Sequence, residues 1–376
     1  MNVGRTDRMN KSTKKWHETL YTYIWVFNTG RGLSVMIRLP NNIGILYDLG
    51  CKDDFSPTEF IIDNIVPHLS RYKPQDSEGG STAIAQCILS HPHLDHFQEI
   101  DAISIKDDKK PPLHPSLLTC PNDKDDQGDE QKVDFSRIKR KDNAEQIDKY
   151  RAIYEKRNLP LQTIQSTEAN VPNVEYGVYF LQPKAVGEEH PKDNQKYGNG
   201  LSILLYLRHG NQSILIPGDV TPEVMSRILS SDKAVEKRYT YFWNVPEKKD
   251  LFEATSEQPN LRDLLMDLGL SILIAPHHGL DSCYCEKLFE MISGNKTKLN
   301  VISEKRHLGE NDGTVDKNYQ SKDKAEGLKV DIEGEKKHCH SVSTRNGHHI
   351  LIIFKGTDVS PHVYLREDPN DLLKIS

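Results

Sequence analysis

Long apolar runs are missing from this chain, and no stretch approaches the roughly 20 consecutive apolar residues that a membrane-spanning helix needs. Arg5, Arg8, Lys11, Lys14 and Lys15 crowd the start without a hydrophobic region after them, so a secretory leader is not expected and a cytoplasmic protein is. Cysteine is also scarce. Cys51, Cys87, Cys120, Cys283, Cys285 and Cys339 are scattered without a disulfide rhythm, and Cys283 and Cys285 stand too close for ordinary bridge geometry, so reduced thiols are expected. An excess of positive charge is absent too: 49 Lys and Arg stand against 55 Asp and Glu, a net charge of −6. That balance argues against tight nonspecific binding along a duplex, which demands an extended basic surface. At 36% hydrophobic and 28% charged the chain has the composition of a globular domain with enough apolar strands for a sizeable core. No internal repeat is visible.

The most informative stretch is Ile88-Leu89-Ser90-His91-Pro92-His93-Leu94-Asp95-His96, three histidines and an aspartate within six residues after an apolar run. Alternate residues of an extended loop point the same way, so His91 and His93 are placed to share one cation while Asp95 and His96 turn toward a second. Two later strands end in similar residues. Ser213–Ile216 runs into Pro217-Gly218-Asp219, whose carboxylate has two oxygens able to bridge two cations. Ser271–Ile274 runs into Ala275-Pro276-His277-His278-Gly279. A Gly-Asp turn or a His pair alone is usually structural. Three strand-end clusters in this order point instead to one metal centre, with hydrolysis as its reaction class and zinc, or else manganese, as the pair of divalent ions.

With the opening Val26–Ile37 (Val-Phe-Asn-Thr-Gly-Arg-Gly-Leu-Ser-Val-Met-Ile) and Ile45-Leu46-Tyr47-Asp48-Leu49-Gly50, these motifs resemble the metallo-β-lactamase superfamily of hydrolases. Within it the chain is most similar to the branch of the C-terminal domain of the DNA-uptake protein ComEC and related phosphodiesterases, through Asn199-Gly200-Leu201-Ser202, Gly218-Asp219 and His277-His278-Gly279. The resemblance runs from about residue 20 to about residue 356, with insertions. It implies an α/β fold, the four-layer αββα sandwich, and a metal centre of His91, His93, Asp95, His96, Asp219 and His278. The last ligand precedes a glycine in that superfamily, which points to His278 and leaves His277 to contact substrate or act as an acid, beside Asp95 in the catalytic set. Many members place a further histidine between the loop and the Asp; here His114, His190 and His209 occupy that interval, and His190 is the choice among them.

The motifs span the chain and must converge, so one domain is expected: an extension over 1–19, a hydrolase domain over 20–366 with insertions at about 101–170 and 230–262, and a tail over 367–376. Residues 20–50 read as two or three strands, and 57–72 as a helix carrying Phe60, Ile61, Ile65 and Leu69 at helical spacing. In the first insertion, Ile147, Tyr150, Ile153 and Tyr154 form an apolar stripe opposite Lys149, Arg151, Lys156 and Arg157. The plain reading is a helix packed on the body; the sharper one is a wall of the substrate groove. Asp123, Asp125, Gln127 and Gly128 suggest a calcium loop, but Asp134 stands where a bidentate Glu is needed. His338-Cys339-His340 lacks a second ligand pair at finger spacing.

The fold serves many unrelated hydrolases, so substrate rests on other residues. A phosphodiester in a nucleic acid or nucleotide is expected, with Asn199, Ser202 and Arg345 as substrate contacts and Lys305, Arg306, His307 and Thr344 as further anion candidates. The alternatives are a carboxylic ester, thioester, lactone or amide hydrolase, and a subunit active only in a larger assembly. In the last case the charged insertions would dock a protein partner.

Overall fold

A computed structural model describes residues 15–71, 82–103, 113–121, 132–139, 143–156, 173–230, 232–241, 258–304 and 315–375. The apolar residues of the first 50 positions alternate along three strands, β1 (Thr22–Val26), β2 (Val35–Arg38) and β3 (Gly44–Tyr47), which pair as an antiparallel meander. Two parallel strands extend it, β4 (Ile84–Ile88) and β5 (Leu117–Thr119). On the other flank β1 pairs with β15 (His349–Phe354), followed by β16 (His362–Arg366), β12 (Leu328–Ile332) and β13 (Glu335–Cys339), completing nine strands. The second sheet has seven, in the order β14 (Ser341–Ser343), β11 (Thr297–Ile302), β10 (Leu270–Ile274), β8 (Gln212–Ile216), β7 (Leu204–His209), β6 (Val174–Leu181) and β9 (Val235–Tyr241).

Strand periodicity sorts the side chains into two cores. Ile24, Val26, Ile37, Ile45 and Ile88 of the first sheet share one buried cluster with Val178, Leu205, Ile214, Ile216 and Ile272 of the second. Their neighbours along the strands point the other way. Tyr23, Trp25, Met36 and Leu46 pack with Phe60 and Ile61 of α1 (Pro57–Asn64) and with Ile147 and Tyr150 of α2 (Ala144–Lys156). On the second sheet, Tyr206, Leu215 and Leu273 belong to the same cluster as α5 (Pro222–Ile228), α6 (Leu261–Leu268) and α7 (Glu286–Met291), through Val224, Leu265 and Leu288. Two short helices, α3 (Pro183–Glu189) and α4 (Asn194–Gly200), link β6 to β7, and α8 (Pro369–Leu372) closes the described chain. The described residues thus form a mixed α/β structure with two sheets. Among them no helix is long and apolar enough to cross a membrane, and all six cysteines are free.

Trp16 and Leu372, outside 20–366, are both buried in the outer core cluster. The stretches 101–170 and 230–262 contribute the edge strands β5 and β9. In α2, Ile147 and Tyr150 are buried as the stripe requires, while the side chains of Ile153, Tyr154 and Lys156, and all of Arg157, lie outside what is described, as do Asp123, Asp125, Gln127, Gly128, Lys305, Arg306 and His307.

Candidate metal centre

Strand direction brings the clusters together. β8 and β10 are parallel neighbours, so Asp219 and the His277-His278 turn leave the second sheet at the same end. β4 delivers the 91–96 loop from the facing sheet, and β7 runs antiparallel to β8, so the residues before it, Asn199 and Ser202, begin where β8 stops. Close backbone approach fixes the loop: a Cβ on Gly32 (φ +96°) or on Gly50 would sit 2.0 or 2.5 Å from the Asp95 carbonyl oxygen.

His91, His96 and Asp219 bring one donor atom each within 4.8 Å of one another, and so do Asp95, His96 and His278. The other nitrogen of each histidine is already engaged. Nδ1 of His91 lies 3.0 Å from Ser90 Oγ, Nδ1 of His96 2.7 Å from Asp48 Oδ2, and Nδ1 of His278 donates to the Ser303 carbonyl at 2.8 Å. The three Nε2 atoms are buried and make no hydrogen bond. They stand 3.8, 3.3 and 4.0 Å from Asp219 carboxylate oxygens. Donors bound at about 2.1 Å around one tetrahedral zinc are separated by about 3.4 Å, so these residues fit a divalent cation. Unsatisfied buried imidazole nitrogens are otherwise costly.

Electrostatics follow from that crowding. Burial works to raise Asp219, but His96, His277 and His278 outweigh it and hold the carboxyl well below its usual range. Burial likewise opposes the charge on His96, yet Asp219 and Asp48 on either side overcome it and raise the imidazole well above its ordinary value. His278 is raised for the same reason by Asp219 and Asp95, against burial. Burial and the nearby His96 push His91 well down, and burial takes His93 to about 4.

The His91 and His93 rings lie side by side, their centroids 4.7 Å apart. His96 joins both donor groups, with Asp48 anchoring its ring, while neither group includes His93. The His93 ring also lies against α4, where a Cβ on Gly198 would meet its Nε2 at 2.2 Å. His277 and His278 are consecutive non-glycine residues in the left-handed region (φ 47° and 59°), a conformation costing on the order of 1–3 kcal/mol each that packed structure must impose. The His277 amide donates to the Gly218 carbonyl, which ties the two ligand turns together.

His277 presents the opposite face of imidazole chemistry. Its Nδ1 lies 3.4 Å from Asn199 Nδ2 and 3.0 Å from Cys283 Sγ. Burial and the Asp219 charge push that thiol up to about 12, so it keeps its proton. Two donors facing Nδ1 leave the ring proton on Nε2, 3.6 Å from Asp219 Oδ2. Burial lowers the His277 value against the pull of Asp219, which keeps the ring neutral.

Asn199 and Ser202, expected to touch substrate, are both buried beside the centre: Asn199 Nδ2 lies 3.4 Å from His277 Nδ1, and Ser202 Oγ accepts from the Asp219 amide at 3.0 Å. The Asn199 Oδ1 atom is buried and makes no hydrogen bond. Arg345 follows β14 at the same rim, where its guanidinium pairs with buried Glu304 after β11. His190 caps α3 and shares a 2.9 Å hydrogen bond with Thr221, outside both donor groups. His209 lies at the far end of β7, bonded to Thr22, where the antiparallel strand carries it away from the centre. Asp48, Ser90, Ser303, Gly198 and Cys283 were not singled out as functional from sequence. The Tyr47-Asp48-Leu49-Gly50 motif was the available signal for the first.

No protein-family model matches the chain, and a search of curated proteins gives no match.

Proposed function

We propose that this chain is a metal-dependent phosphodiesterase of the metallo-β-lactamase type, its two sheets and flanking helices forming the four-layer αββα sandwich of that family. The observation that carries the reading is the convergence of three buried, unpartnered Nε2 atoms on the Asp219 carboxylate. His91, His96, His278, Asp95 and Asp219 would hold the metal, with His93 beside His91. Divalent cations bound there supply Lewis acidity toward a phosphoryl oxygen and lower the pKa of water. The chain's own residues do the rest. Asp48, Ser90 and Ser303 fix the imidazoles with Nε2 inward. His277, neutral with its proton on Nε2, is placed to donate a hydrogen bond to the departing oxygen, with Asn199 and Cys283 holding the tautomer.

The test is metal analysis of the purified chain, then turnover of bis-p-nitrophenyl phosphate, oligonucleotides, esters and lactones with zinc and with manganese. Asp219→Ala is expected to lose at least one equivalent of metal and phosphodiester turnover together. Full metal content in that variant refutes the centre, and ester or lactone cleavage without phosphodiester cleavage replaces the substrate class.

A further inference from the structure

Lys196 belongs to neither donor group of the metal centre, yet it stands one turn of helix from it. It lies three residues before Asn199, and residues three apart share one face of a helix, so its side chain leaves α4 on the side where Asn199 meets His277. The ammonium reaches across to α5, where Nζ is 2.8 Å from Glu223 Oε1. Glu223 is in the first turn of α5, four residues beyond Asp219, so the pair bridges the two helices that border the His277 side of the centre. Cys283 lies in the same field: the thiol 3.0 Å from His277 Nδ1 senses the charges of both Lys196 and Glu223.

Both side chains of the pair are part-exposed, and an ion pair exposed to that degree contributes little to fold stability. Its bonding is also incomplete. An ammonium has three donors, and among the described residues Glu223 Oε1 takes one, so two remain for a ligand. On the carboxylate, Oε2 is buried and makes no hydrogen bond. The hydrogen bond from Glu223 raises the Lys196 value, which keeps the ammonium charged at neutral pH. A fixed positive charge with donors to spare, on the side where His277 faces the departing oxygen, suits a phosphoryl oxyanion. We propose that Lys196 is a substrate-binding residue: its ammonium contacts a phosphoryl oxygen of the diester, while Glu223 holds it at the rim and competes for it. The contact makes the site selective for an anionic diester over a neutral ester. The inference rests on the phosphodiester reading above.

The test is binding to the zinc-loaded chain, measured by calorimetry with diethyl phosphate, an anionic diester, and with neutral triethyl phosphate. Melting temperatures in chelator serve as the folding control. Lys196→Gln is expected to bind diethyl phosphate about tenfold more weakly, the effect of losing one charged hydrogen bond, with zinc stoichiometry unchanged. Lys196→Arg should retain most of the affinity. Glu223→Gln, which frees the ammonium from its competitor, should bind as tightly as wild type or more so. Triethyl phosphate should not distinguish wild type from Lys196→Gln. The contact is overturned if Lys196→Gln binds diethyl phosphate like wild type, if Glu223→Gln weakens binding as much as Lys196→Gln does, if zinc is lost along with the anion, or if the wild type does not bind diethyl phosphate. Equal loss of both phosphates in Lys196→Gln overturns it too, because shape and not charge would then be at work. Lys196-dependent binding with no turnover of bis-p-nitrophenyl phosphate removes the hydrolase reading instead, whereas turnover that Lys196→Gln leaves intact removes the contact alone, so the two failures are distinct.

Discussion

Asp48 is a buried carboxylate whose two oxygens are fully used inside the protein. Oδ1 accepts from the Ser90 amide at 2.7 Å, and Oδ2 accepts from Ser90 Oγ and from His96 Nδ1, both at 2.7 Å. It sits at φ 58°, held by a hydrogen bond from its own amide to the Ile88 carbonyl. Through His96 it sets which nitrogen faces the centre and how basic that nitrogen is. Asp48→Asn keeps the volume but removes the charge and turns one acceptor into a donor. Zinc affinity, measured by competition with a chromophoric chelator, is expected to fall about 10- to 100-fold. Unchanged affinity would reduce Asp48 to a staple between β3 and the loop. The residues of the two donor groups were legible in the sequence because each cluster is contiguous and follows an apolar strand. Asp48 and Ser303 were not, since their roles depend on pairings 48 and 25 residues apart in the chain.

At the scale of elements, α4 is the part that couples ligand position to backbone. Asp193 caps it, accepting from the Lys196 amide at 2.9 Å, and its Gly198 leaves the space that the His93 ring occupies. Gly198 lies within the helix, where alanine is favoured by about 1 kcal/mol, so Gly198→Ala suits the helix, and the three nearest atoms its Cβ would meet all belong to the His93 imidazole. The expected outcome is a melting temperature in chelator close to that of wild type, with His93 displaced and metal stoichiometry or affinity reduced. Wild-type metal binding in this variant would show that His93 has no part in the centre. Sequence spacing placed His91 and His93 together, and their ring centroids lie 4.7 Å apart. After them the Leu94–His96 segment is a turn of 3₁₀ helix, and His96 shares a donor group with His91. The strands around the site were readable from apolar runs, whereas the edge strand β9 was not, because its Val-Glu-Lys-Arg-Tyr-Thr-Tyr sequence carries the charges that signal a loop, and the three-residue β5 is too short to show a period.

Across the whole molecule, the histidine charges make stability depend on pH in a way that metal should reverse. His96 and His278 have folded values above the ordinary 6.5, for the carboxylate reasons given above. Their contribution to metal-free stability is therefore full below pH 6.5 and is lost as pH climbs through the raised values. His91, His93 and His277 are lowered, so their contribution is present above 6.5 and fades only as pH falls. Asp219 is lowered as well, and its share is lost only as pH falls below the carboxylate range. The raised thiols of Cys51 and Cys283 begin to matter only near their ordinary value of 9.0. Between about pH 6.5 and 8.5 the centre's own dependence is thus set by His96 and His278. In chelator, the urea midpoint is expected to fall across that interval. With saturating zinc it should rise instead, because protons and the cation compete for the same Nε2 atoms and binding releases the proton held by His96. A midpoint in chelator that is flat or rises with pH would mean that His96 is not held charged between Asp48 and Asp219, and a zinc-saturated midpoint that falls in parallel with the metal-free one would mean that the cation does not occupy those nitrogens.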